Sequence, residues 1–101
     1  MPTPPPTGRF EKRTARSVAV ELSRMDASLL KESTLTENVS PRGIRVATEH
    51  EWKPGEPVLV MSMREAVWCQ ARVVYCRPLE KGGFAVGLKL FTRVEQWARP
   101  P

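Results

Sequence analysis

Apolar residues recur at every second position in one run after another of this chain, and that period is the signature of half-buried β-strands. "SVAVELS" sets Val18, Val20 and Leu22 on one face against Ala19 and Glu21 on the other. "KESTLTENV" is rich in Thr and polar residues, as expected of a strand that buries little beyond Leu35 and Val39. "GIRVATE" alternates Ile44 and Val46 with Arg45, and "EPVLVMSM" is a compact apolar run entered through the turn signal "KPGEP". The longest run, "EAVWCQARVVYCR", is expected to place Val67, Cys69, Ala71, Val73 and Tyr75 on one face and Trp68, Gln70, Arg72, Val74 and Cys76 on the other. After "LEKGG", "FAVGLKLF" sets Phe84, Val86, Leu88 and Leu90 against Ala85, Gly87, Lys89 and Phe91. Six such runs separated by Gly and Pro predict a mostly β fold, an antiparallel barrel or sandwich. A barrel is preferred, because closure removes the edge strands of so small a domain. Two segments allow helix: a turn over 23–31, "SRMDASLLK", and one or two turns in "TRVEQWAR" before the final prolines stop it.

A chain of 101 residues holds one modest core. Residues 1–8 contain four of its ten prolines and are expected to form a flexible, extended tail ahead of a single domain over 9–101. The formal net charge is +5, and the excess is uneven. Arg9, Lys12, Arg13, Arg16 and Arg24 face only Glu11 and Glu21 over that segment, which favours an anionic partner over a neutral one. Cys69 and Cys76 are the only cysteines; with opposite faces expected for them, they do not bridge, and no CxxC pattern suggests zinc. "MPTPPPTG" lacks the apolar run of a signal peptide and nothing approaches a membrane span, so a reduced cytoplasmic protein without membrane insertion is expected.

Catalytic chemistry finds little footing. The single histidine, His50, lies in the charged loop "TEHEW" with no partner by motif, and GxSxG, P-loop and HExxH patterns are missing. No enzyme, metal site or cofactor is expected. Trp52 and Trp97 fit structural roles, one closing a barrel end and one packing a short terminal helix. Trp68 shares its strand face with Gln70 and Arg72, which suits either a contact surface or the plain outside of a barrel.

The arginines remain. "RFEKR" spaces Arg9 and Arg13 four apart just before the first strand, and Arg16 follows three later. Each guanidinium is a planar fork able to grip the O6/N7 edge of guanine, stack on a base or pair with phosphate. A counter-surface is present in "TENVSPRGIRV": Asn38 offers donor and acceptor, Ser40 a hydroxyl, Arg42 a charge, and Gly43 a close backbone approach with freedom for positive φ. The order RxxxR (Arg9, Arg13), one strand, then NxSxxG (Asn38, Ser40, Gly43) resembles the PilZ domain, a bacterial receptor for cyclic di-GMP. The similarity runs over roughly residues 9–97 and includes "W-KPGEPV" and "GGFAVGLKLF" with Gly87.

The resemblance implies a six-stranded antiparallel PilZ-like β-barrel with a short C-terminal helix, the helix shortened here by the prolines after Trp97. It implies an arginine-bearing arm, 9–16, that folds over cyclic di-GMP held at Arg9, Arg13, Asn38, Ser40 and Gly43, with Arg16, Arg42 and Trp68 as additional candidates. Lys12 and Arg16 also stand four apart, so which of Arg9, Arg13 and Arg16 form the working pair stays open. Such domains switch the interactions of a protein effector and are not enzymes. The alternatives are a PilZ-like interaction domain that ignores nucleotide, and a small barrel gripping single-stranded nucleic acid through the arm and Trp68. Nucleic acid is the less favoured partner, because the aromatics form no ladder on one strand face.

Overall fold

The computed structural model describes residues 13–26 and 30–98. The Pro-rich tail, Arg9 and the arm up to Lys12 lie outside the described residues. Seven strands follow in order: β1 (Thr14–Ala15), β2 (Ala19–Arg24), β3 (Lys31–Ser40), β4 (Gly43–Thr48), β5 (Pro57–Ser62), β6 (Val67–Pro78) and β7 (Phe84–Leu90). All pairings are antiparallel, and the sheet runs β3-β2-β5-β6-β7-β4 and closes through a β3–β4 pairing into a six-stranded barrel. The C-terminal helix is a single 3-10 turn, Glu95–Trp97.

Alternation fills the barrel. Val18, Val20, Leu22, Ile44, Val46, Val58, Val60, Ala71, Val73, Val86, Leu88 and Leu90 all point inward and are almost wholly buried. Trp52 and Trp97 seal opposite ends. The indole N–H of Trp52 donates to Glu32 Oε1 at 3.2 Å, and that of Trp97 to Glu65 Oε1 at 3.2 Å. Buried indoles are stable here because each N–H keeps a partner. His50 joins the first of these ends, its Nδ1 3.2 Å from Glu32 Oε1.

Four local expectations are corrected. Ser23 and Arg24 continue β2 and Lys31 opens β3, so the ends of the 23–31 segment are extended; 27–29 lie outside the described residues. On β3 the inward residue is Thr36, at 2% exposure, while Leu35 is 57% exposed. The Thr36 hydroxyl explains this reversal: it accepts from Val18 N–H at 2.8 Å and donates to the carbonyl of Arg16, filling a gap in the ladder. On β6 the pairing slips between Val73 and Tyr75, leaving Val74 as the extra residue of a bulge. Tyr75 therefore turns outward and Cys76 inward, so both cysteines face the core, the reverse of the strict alternation. A similar slip between Thr36 and Asn38 lets both Thr36 and Val39 be buried. Finally, Gly43 has no positive φ; among the described glycines only Gly55, Gly82 and Gly83 do.

Candidate functional site

Strands β3 and β4 are joined by the two-residue turn Pro41-Arg42, with Ser40 paired to Gly43 across it. Pro41 supplies a fixed φ and gives up only an N–H that a tight turn can spare. The two turn carbonyls are held from outside: Pro41 O accepts from Val94 N–H at 2.7 Å and Arg42 O from Leu90 N–H at 2.8 Å. The hairpin is thus clipped to the end of β7 and to the segment beyond it, giving a rigid platform at the Trp97 end of the barrel.

On this platform alternate positions share the outer face. Asn38 and Ser40 lie on it from β3, Gly43 and Arg45 from β4. Ser40 Oγ donates to Gly43 O at 3.1 Å, a contact that braces the hairpin. At Gly43 the constraint is space rather than backbone angle. A Cβ there would stand 3.2 Å from Leu88 O, 3.7 Å from Ser40 Oγ and 3.9 Å from Arg13 Nη2.

The arm meets this surface. β1 extends the line of β2 along the same side of β3, with Thr14 opposite Val39 and Ala15 opposite Asn38. That pairing places Arg13 beside the hairpin, where its Nη1 donates to Asn38 Oδ1 at 2.9 Å. One guanidinium, one amide, one hydroxyl and one side-chain-free position are therefore brought together. Arg9 falls outside the described residues. Arg16 points elsewhere: it forms an ion pair with Glu65 at 2.7 Å and reaches Gln96 O at 3.4 Å. Arg42 occupies the turn tip. Trp68, on the outer face of β6 and 73% exposed, belongs to a different patch with Leu59, Gln70 and Phe91.

Sequence reasoning passed over several neighbours. The outer row through Asn38 continues to Arg45, Gly87 and Tyr75 on successive strands. The Tyr75 ring lies flat in the space a side chain at position 87 would need, since a Cβ there would come within 2.2 Å of it. Arg77 stacks over the same ring at 4.7 Å. A parallel row runs Ser40, Gly43, Lys89, Arg72. The one sequence signal for this was a glycine inside the alternating "FAVGLKLF", which marks a close approach without naming what approaches. The face as a whole is cationic: Glu37 pairs with Arg45 at 2.8 Å, but Lys89 and Arg72 hold no ion pair among the described residues.

The family model described as "PilZ domain" matches residues 8–98. No curated protein matches the chain at a significant level.

Proposed function

The chain belongs to the PilZ domain family, a family of cyclic di-GMP receptors, and on that premise we propose that it binds cyclic di-GMP between the arginine arm and the Ser40–Gly43 hairpin. The observation that carries this reading is the reach of Arg13 across Asn38 toward Gly43, beside the Ser40 hydroxyl. Cyclic di-GMP presents two guanine edges and two phosphates. A guanidinium fork matches either group, and an amide and a hydroxyl complete the hydrogen bonding of a base edge or a phosphate oxygen. Arg13 now donates to a neutral amide at an exposed site, a bond of small net value. Exchanging it for charge-assisted bonds to an anion is favourable by about 1.5–3 kcal/mol per contact. Arg9 is the second arginine of the proposed clamp. The field of Lys89, opposite Gly43, and of Arg72, opposite Lys89 on the next strand, raises the local concentration of a dianion.

Binding at Arg13 is a means of switching, because among the described residues β1 is held to β3 by the two pairs Thr14–Val39 and Ala15–Asn38. Ligand contacts to Arg13 add to that thin attachment, order the arm and change the surface a protein effector meets. The protein is accordingly proposed to be a non-enzymatic receptor of the cytoplasm, where its messenger is made. No helix among the described residues is long and apolar enough to cross a membrane.

Isothermal titration with cyclic di-GMP tests the proposal. Micromolar or tighter binding is expected, weakened about ten- to a hundredfold by Arg13→Ala and by Ser40→Ala. A folded protein that gives no heat, or whose affinity ignores both substitutions, overturns it.

A further inference from the structure

A second surface at the same end of the barrel is unlike the clamp. Trp68 and Phe91 stand 73% and 51% exposed, and Met63 is 89% exposed in the turn between β5 and β6. Trp68 lies opposite Met61 and Gln70 opposite Leu59 on the paired strands. Phe91 closes the other side through its N–H bond to Gln70 O at 2.9 Å. Between them is a shallow hollow of about 380 Å³ with Leu59, Trp68, Gln70 and Phe91 in its walls. An aromatic and aliphatic patch around one tryptophan is the composition of a protein-binding hot spot.

The charges around it identify the occupant. Arg16, Arg24, Arg45 and Arg93 each hold a carboxylate. Arg72 over Phe91, Lys89 paired with Arg72 across β6 and β7, and Arg64 next to Met63 in the β5–β6 turn have no ion pair among the described residues. Arg72 instead donates to Gly55 O at 2.7 Å and lies 5.6 Å over the Phe91 ring. Three uncompensated cations around an apolar centre call for a partner with apolar anchors and an acidic flank. A second copy of the chain would set these cations against like charges. Stacked nucleotides need successive aromatics, whereas Trp68 has Met61 and Leu59 beside it. A lipid surface would meet Glu21, which faces outward opposite Met61 on the adjoining strand. The barrel is closed along these strands, so added-strand pairing is not available either and recognition must run through side chains.

We propose that the Trp68–Phe91 face is the docking surface for an amphipathic acidic helix of a protein partner. This extends the receptor proposal by stating the effector's chemistry; the apolar centre at Trp68 and Phe91 lies apart from the clamp, while Lys89 and Arg72 border both. It is joined to the arm through one turn: Glu65, two residues from Met63, receives Arg16 from the arm and Trp97 from the C-terminal turn. Movement of the arm therefore bears on the segment that carries the patch.

The test is a peptide-display selection from a randomised library on the full chain without nucleotide, followed by anisotropy titration of the enriched peptides. Enrichment of Asp/Glu together with Trp, Phe, Leu or Met is expected. Affinity should fall at least about tenfold for Trp68→Ser and several-fold for Arg64→Glu, each variant remaining folded by circular dichroism. The proposal is overturned by a selection without binders, by peptides lacking the acidic bias, or by affinity that ignores Trp68→Ser. It is equally overturned if Trp68→Ser abolishes instead a dimer in sedimentation, or binding to phosphatidylserine vesicles or oligo-dT. Titration of cyclic di-GMP into Trp68→Ser, run in parallel, keeps failure of this surface distinct from failure of the nucleotide site.

Discussion

Glu32 shows how one side chain can organise a barrel end. Its carboxylate, 9% exposed, accepts from the indole of Trp52 and from the backbone N–H groups of Glu49 and His50, with the His50 ring alongside. A buried carboxylate is tolerable only with donors of this number. Glu32→Ala strands those donors, and a loss of about 2–3 kcal/mol is expected from the urea midpoint. Cys69 offers a pH-dependent counterpart. Burial pushes its thiol above the ordinary value of 9.0, because the thiolate is poorly solvated inside the barrel. The folded state therefore holds the proton more tightly than the unfolded chain. Its contribution is complete below the unfolded pKa and is lost as pH rises through the folded one. Cys69→Val should accordingly retain more of its stability than the parent as pH rises above 9.0, with urea melts as the readout. An equal alkaline loss in both proteins would show that Cys69 carries none of it.

At the scale of elements, the informative pieces are the places where strands deviate from regular pairing. The arm joins the barrel through an irregular stretch, where the shift from the Thr14–Val39 pair to the Ala19–Leu35 pair is bridged by the Thr36 hydroxyl. Thr36→Val keeps the shape but leaves Val18 N–H and Arg16 O without that partner. A cost of about 1–3 kcal/mol is expected, with faster hydrogen exchange confined to the Arg16–Val18 segment. Uniformly faster exchange throughout the barrel would place the effect elsewhere. The Val74 bulge has a comparable reach. By shifting β6 by one residue it lays Tyr75 over Gly87 in the row that begins at Asn38, beside the proposed clamp.

The whole molecule is a closed barrel with a tryptophan at each end, and the proposed nucleotide clamp and the apolar patch sit at the Trp97 end. Trp97, 1% exposed, holds that end together from a single 3-10 turn. Trp97→Ala should therefore cost about 3–5 kcal/mol in a thermal or urea melt, a large share of a small domain's stability. Release of Glu65 in the same variant should also weaken the hold on Arg16, seen as raised exchange in the arm. Much of this architecture was written in local pattern. Period-two alternation dictates strands, because an apolar face has to be buried; Pro and Gly dictate where strands end; and the RxxxR and NxSxxG spacings single out Arg9, Arg13, Asn38, Ser40 and Gly43 as candidates. What no local pattern contains is register. Whether Leu35 or Thr36 enters the core, whether Tyr75 faces in or out, whether Arg16 joins the hairpin or Glu65, and what crowds Gly43 all depend on which residue of another strand stands opposite. One inserted residue on a strand reverses every face that follows it, so alternation alone determined that there are faces. Only closure of the barrel decided which face is which, because the ladder hydrogen bonds and the core volume have to be satisfied around all six strands at once.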